Sequence, residues 1–429
     1  MSRRHGTPLD GCYRFFLALF AQINGQKYFN CFLRANMESL ISKAKFYCCS
    51  LLPEPWSNLC EDEIVVHPIT TGRSNRLFVC TRPTYSSSLL SRSTVLPTSL
   101  PSSTTSSDDD SDCLSNSCSE SCDDRYSKVI VRFYGSELTG EGNRYKCVTD
   151  EEEIAILETL SSRGMAPSVL ASFPGGRIDE FIESNVLPPN QLTQNELFKL
   201  ISIRIAQYHS LPFKCERTYD LFAIYRDLSG KAIQMMENLD ETCFSKLPES
   251  SVLLLNKIKS FLESGPDSFL IQKMTQIHNK IVFTHMDLNY TNFLITKSSS
   301  SNRPLDVMII DVENSQNNFR GIDLGKFFTE LCLNEESKDL VFISDSLFDS
   351  FTDSYLTEWM SSAEPHKIDP RVDNRDHLLT EIKLGFLYNV IFIVFWNVLH
   401  PNFPGNFLEN TSSRIDLFNH FKQRWSPLN

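Results

Sequence analysis

The stretch Ile281-Val282-Phe283-Thr284-His285-Met286-Asp287-Leu288-Asn289-Tyr290-Thr291-Asn292-Phe293-Leu294-Ile295 sets two short apolar runs on either side of a polar loop. The first run reads as a strand that delivers His285 and Asp287. Asn292, five residues after the acid, opens the second. Nineteen residues further on, a third apolar run, Val307-Met308-Ile309-Ile310, ends on Asp311. H-x-D-x-x-x-x-N followed by a strand-terminal Asp suits phosphoryl transfer. One carboxylate takes the proton of an attacking hydroxyl, while an amide oxygen and a second carboxylate hold Mg2+ on nucleotide phosphates. A lone H-x-D is common by chance, and a strand-end Asp can simply cap a turn. The spacing, the flanking strands and the second Asp together favour the phosphotransfer reading.

Upstream, Glu63–Ile69, Arg76–Cys80 and Lys128–Gly135 read as strands, the first two joined by the small-residue turn Thr70–Asn75. Between the second and third lies Tyr85–Asp124, dominated by Ser, Thr and Asp, which cannot bury enough apolar surface to offset its ordering entropy. A disordered insert in an antiparallel sheet is the expectation. Asp150–Arg163 reads as a helix with acids in its first turn, and Ser172–Ile182 as a hairpin. Beyond Val186 the periodicity is helical, at Gln194–Ser210, Ser251–Leu262 and Asp376–Leu399. The plan is α+β: a small lobe built on an antiparallel sheet, then a larger, mainly helical lobe.

Composition narrows the function classes. The 429 residues are 41% apolar and 22% charged, enough for two domains and a substantial core. Lys and Arg total 41 against 53 Asp and Glu, a net charge of −12, and seven of the acids fall between Asp108 and Asp124. Such a balance lacks the basic footprint of a nucleic-acid binder. The thirteen cysteines contain no C-x-x-C pair and read as reduced, cytoplasmic thiols; Cys113, Cys118 and Cys122 have no histidine nearby to complete a metal site. No run reaches about 18 consecutive apolar residues, so no integral membrane segment is expected. Leu387–Leu399, interrupted by Asn389 and Asn397, reads as a buried helix. Arg3 and Arg4 ahead of Phe15–Ala21 only faintly resemble a secretory signal, and Met37 opens a more ordinary start, which makes residues 1–36 a poorly ordered extension.

From Ile310-Asp311-Val312-Glu313, through Asn318-Phe319-Arg320-Gly321-Ile322-Asp323-Leu324-Gly325, to Phe328 and Glu330, the sequence resembles the choline/ethanolamine kinase family. The resemblance runs from about Lys43 to the C-terminus. Leu52-Pro53-Glu54-Pro55-Trp56 and Gly72-Arg73-Ser74-Asn75 are similar to the family's opening segment and phosphate-covering loop. The resemblance implies a two-lobed, protein-kinase-like fold with ATP and Mg2+ as cofactors and an amino alcohol, choline or ethanolamine, as acceptor. Asp287 would be the catalytic base, with Asn292 and Asp311 as metal ligands. Gly72, Ser74, Asn75 and Arg132 would handle the nucleotide phosphates, with Glu153 as the acid that pairs with Arg132, and the backbone at Glu180 and Ile182 would contact the adenine. Glu313, Glu330 and Trp396 would surround the ammonium, and His285 and Asp323 would be structural. The lobes would then be 37–182, nucleotide-binding and carrying the disordered insert 85–124, and 183–429, catalytic and acceptor-binding. Family members are often dimers, so a homodimer is the candidate assembly.

Departures from the family bear on the acceptor. Met286 stands where Asn is usual, Asn314 where an aromatic residue is usual, Lys326-Phe327 replaces Asn-His, and Ile393 replaces one of two tryptophans. Choline cannot donate hydrogen bonds and depends on aromatic faces, whereas ethanolamine gains from acceptors such as Glu313, Asn314 and Glu330. The preference between the two stays open at the level of sequence. The alternatives are a related kinase with an aminoglycoside-type acceptor and a catalytically weak, kinase-like binding protein.

Overall fold

The structure is a computed structural model that describes residues 30–69, 75–83, 126–135, 147–215, 218–238, 247–297, 305–332, 341–400 and 407–425. Gly72, Ser74, the cysteines of the acidic tract and the expected disordered insert 85–124 lie outside the described residues. The chain divides into two compact units, the smaller comprising Leu33–Gly142 and Val169–Phe181. Asn143–Ser168, grouped from sequence with the N-terminal lobe, belongs to the larger unit together with everything from Ile182 onward. Backbone bonds explain why: the Cys147 N–H donates to the Glu313 carbonyl at 3.2 Å and the Ile309 N–H to the Met165 carbonyl at 2.8 Å.

The smaller unit takes in helix α1 (Asn30–Leu51) from Leu33 onward, a helix that starts inside the stretch read as an extension. Strands β1 (Val65–Ile69), β2 (Arg76–Thr81) and β3 (Lys128–Phe133) follow. Helix α2 (Asp150–Ser162), in the larger unit, intervenes before β4 (Val169–Phe173) and β5 (Gly176–Glu180). The five strands form one antiparallel sheet in the order β1-β2-β3-β5-β4. Gly175, at φ 82°, makes the β4–β5 turn in a conformation that only glycine adopts freely. The core sets Ala44 and Cys48 of α1 against Phe78, Val129, Val131 and Ile178 of the sheet, and Trp56 is tied in by its indole N–H to the Tyr126 carbonyl at 2.8 Å.

The larger unit continues with helices α3 (Pro189–Leu192), α4 (Asn195–His209), α5 (Leu221–Glu237), α6 (Glu249–Glu263) and α7 (Pro266–Thr275). Strands β6 (Ile281–Thr284), β7 (Phe293–Thr296), β8 (Asp306–Ile309) and β9 (Gln316–Phe319) pair as two antiparallel ladders, β6 with β9 and β7 with β8. Helices α8 (Arg320–Leu331), α9 (Asp345–Ser362), α10 (Arg375–Leu399) and α11 (Phe407–Arg424) complete it. α8 and α10 cross where Gly325 meets the backbone of Gly385 and Phe386, and Gly385 meets that of Gly321, so a β-carbon at either position would strike main chain.

Helix α10 carries a difference from the sequence reading. By length and composition it could cross a membrane, because Asn389 interrupts a run of apolar residues without lowering the whole window far. Yet 67% of its most apolar 18-residue window is buried inside the fold. Asn389 is one reason it sits there: its amide donates to the Ile322 carbonyl at 2.7 Å, bridging α10 to α8.

Candidate active site

β6 ends at Thr284, whose hydroxyl donates to the Gln316 carbonyl across the ladder at 2.7 Å. The next two backbone N–H groups, of His285 and Met286, donate to the two carboxylate oxygens of Asp323 at 2.6 and 2.8 Å. Asp323 is fully buried in the first turn of α8. It also takes the Nε2 of His209 at 3.0 Å, whose Nδ1 meets the Tyr355 hydroxyl at 2.7 Å. With Nε2 donating to a carboxylate, Nδ1 is the acceptor of the tyrosine proton. Burial holds the His209 pKa below its ordinary value, and Asp323 offsets only part of that, so the ring serves here as a neutral strut.

These bonds hold a strained turn. Met286 has φ 65°, a left-handed conformation that costs a residue with a β-carbon about 1–2 kcal/mol and that Asn tolerates better. The departure noted at this position is therefore a matter of backbone conformation. The Asp287 N–H then donates to His285 Nδ1 at 3.3 Å, which leaves Nε2 carrying the proton it donates to the Ile310 carbonyl at 2.9 Å. One imidazole thus links the turn before Asp287 to the residue before Asp311.

Asn292 closes the loop from the other side. Its amide nitrogen donates to the Asp287 carbonyl at 2.9 Å and lies 3.5 Å from Asp287 Oδ2. Its own carbonyl accepts the Ile310 N–H at 3.0 Å, next to Asp311, which turns at φ 67°. The side-chain oxygen of Asn292 and the carboxylate of Asp311 are hard donors of the kind Mg2+ takes. Among the described residues no three His, Cys, Asp or Glu converge to hold a metal. A cation here would draw most of its shell from phosphates and water, which is how Mg2+ commonly binds.

The carboxylate of Asp287 keeps 37% of its surface open. Desolvation raises its pKa from the ordinary value; Lys326 and His285 oppose that, while Asp311 and Glu330 add to it. Lys326 Nζ stands 2.8 Å from Glu330 Oε1 and 3.7 Å from Asp287 Oδ1. Glu313 is buried within a short 3-10 turn, and the neighbouring Asn314 Oδ1 is buried with no hydrogen-bond partner among the described residues. Trp396, half-buried on α10, stacks between Phe392 and His400, with ring centroids 6.3 and 4.0 Å away.

In the smaller unit, Asn75 is buried just before β2. Arg132 lies between Leu77 and Arg177 in the register of the sheet. Two like charges directly opposite would repel, and Asp179 relieves this, 2.8 Å from Arg177 Nε and 3.9 Å from Arg132 Nε. Glu180 ends β5. Glu153, wholly buried in the first turn of α2, and Ile182 belong to the larger unit. Sequence reasoning missed His209, Tyr355 and Asp179 as supports, and treated Lys326 only as a departure.

Residues 66–427 match the choline/ethanolamine kinase family. The chain belongs to that family. It is 23% identical over 402 residues to choline kinase alpha of Mus musculus, covering 88% of this chain and 79% of that protein. To the choline/ethanolamine kinase of Homo sapiens it is 23% identical over 394 residues, covering 89% and 86%. The solved Plasmodium vivax ethanolamine kinase shares its fold, with a TM-score of 0.58 at 16% identity over 90% of each chain. The two-lobed, protein-kinase-like architecture is thus the fold of this choline/ethanolamine kinase family member, and membership makes it a phosphotransferase.

Proposed function

We propose that the chain transfers the terminal phosphoryl group of ATP to the hydroxyl of ethanolamine or choline, forming the phosphorylated head group from which phospholipids are built. The observation that carries this is the Asp287 carboxylate: partly open, raised in pKa, and braced by Asn292 and Lys326. In the proposed role it orients the acceptor hydroxyl and takes its proton. Asn292 and Asp311 would hold Mg2+, which when bound neutralises charge on the nucleotide phosphates. The phosphate-handling roles of Gly72, Ser74, Asn75 and Arg132, the pairing of Glu153 with Arg132, the adenine contacts at Glu180 and Ile182, and the acceptor roles of Glu313, Glu330 and Trp396 rest on the motif resemblance. So does a homodimer, while a cytoplasmic location rests on the cysteine usage.

Asp287→Asn tests the reading. Turnover in a coupled ADP-release assay is expected to fall by about 10²–10⁴, the usual contribution of a general base. The nucleotide-induced thermal shift should survive. Tm should hold or rise, because a carboxylate with a raised pKa opposes folding when it is ionised. Wild-type turnover would overturn the assignment. Asp311→Ala should instead raise the Mg2+ concentration needed for half-maximal rate, and an unchanged titration would remove its metal role.

A further inference from the structure

The ammonium of Lys326 stands where the acceptor's own ammonium was expected to find its carboxylate. Nζ is 2.8 Å from Glu330 Oε1 and 3.7 Å from Asp287 Oδ1, and the Lys326 and Glu330 side chains are only 15% and 11% exposed. The position follows from the helix: Lys326 and Glu330 are one turn apart on α8, immediately after the Gly325 crossing that fixes α8 against α10. Burial alone would lower the Lys326 pKa, but Glu330 and then Asp287 outweigh it, and the group stays protonated. A second cation is nearby. Buried Arg414 of α11 donates from Nη1 to the carbonyl of Thr329, the residue before Glu330, at 3.2 Å.

We propose that Lys326 is the specificity-determining residue of the acceptor corner, favouring an amino alcohol that can share or shed its positive charge, ethanolamine, over one whose charge is permanent, choline. This rests on the amino-alcohol kinase reading above. With Glu330 already paired to Lys326, an incoming cation gains less from that carboxylate and meets a like charge in a partly desolvated site. Ethanolamine has two remedies. Its primary ammonium can donate N–H bonds to Glu330 or Glu313, and it can bind as the neutral amine. A trimethylammonium group has no N–H and cannot lose its charge. The neutral Asn usual at this position in the family imposes no such penalty.

The experiment measures kcat/KM for ethanolamine, its mono- and dimethyl derivatives and choline at saturating ATP and Mg2+. It uses the wild-type chain, Lys326→Asn and Lys326→Arg. Wild-type efficiency is expected to hold across the three amines that carry an N–H and to drop sharply at choline. Lys326→Asn should raise choline relative to ethanolamine by about tenfold, the scale of a like-charge contact at a partly exposed site, and Lys326→Arg should keep the wild-type ratio. A smooth decline with each added methyl in the wild type would assign the preference to bulk and overturn the proposal, even if Lys326→Asn fails to fold. So would an unchanged ratio in a folded Lys326→Asn. Absence of turnover with every amine in the wild type would instead overturn the amino-alcohol reading itself, and the proposal with it.

Discussion

Helix α8 carries a cluster of charges at each end, and the two behave as different kinds of object. At its start, Arg320 is fully buried, with Nε on Glu381 Oε2 at 2.7 Å, Nη1 on Asp373 Oδ1 at 2.7 Å and Nη2 on the Val372 carbonyl at 3.0 Å. Lys280 completes the set, its ammonium on Asp373 Oδ2 at 2.6 Å and its backbone N–H on Glu381 Oε1 at 2.7 Å. Two acids and two bases, each hydrogen-bonded and nearly all buried, tie α8 and the residue before β6 to α10. At the other end, Lys326, Glu330 and Asp287 form a looser set of three, one member of which is open to solvent. Closed, neutralised clusters fix a fold. An open cluster with an acid in excess of its base leaves charge available for chemistry.

The sharpest way to break the comparison is to remove one base from each cluster. Arg320→Met should cost about 3–5 kcal/mol, because Asp373 and Glu381 would remain buried without it; the urea midpoint measures this. Lys326→Met should cost less, about 1–3 kcal/mol, since only Glu330 would be left largely buried while Asp287 can rehydrate. Equal losses would mean that both clusters are structural.

Acid adds a second reading of the same contrast. Burial alone would raise the Asp373 pKa, but Lys280, the Asp369 backbone N–H and Arg320 together hold it below the ordinary 3.8. A depressed carboxylate stabilises fully above its unfolded pKa, and that contribution disappears as pH falls through the folded value. Wild-type stability should therefore fall once pH drops below the unfolded carboxylate pKa, and Arg320→Met, whose Asp373 is less depressed, should lose less over the same range. An identical acid limb in the two proteins would detach Arg320 from that effect.

The smallest effect lies between the clusters, at the strained turn. Met286→Asn should stabilise the chain by up to about 1 kcal/mol by relieving the left-handed backbone, read as a rise in Tm. A fall in Tm would mean that the thioether makes contacts worth more than the strain.

The fold was legible from short-range pattern. The apolar runs around the H-x-D motif became β6, β7 and β8, and the strands flanking the Ser/Asp tract became β2 and β3, because each is a compact run bounded by polar residues. Partners brought together by the chain's path were not legible. His209 reaches Asp323 from 114 residues away, and no local spacing announces it. The sequence marks Met286 as unusual but does not give its φ. Lys326 reads as an ordinary helix cation until the fold turns it toward Asp287. Helix α10 was recognised by its apolar run, while the part played by Asn389 in docking it required the neighbouring helix.

That helix also acts as a ruler. Glu381 is pinned in the closed cluster, Gly385 is pressed against α8, and Trp396 lies eleven residues further along the same rod, roughly 16 Å away at about 1.5 Å per residue. Nothing between the crossing and the indole can absorb a change of register. A single residue inserted there would swing Trp396 about 100° around the helix axis relative to the crossing, and one inserted between Phe392 and Trp396 would also break that ring pair. The segment can therefore accept substitutions far more readily than changes in length.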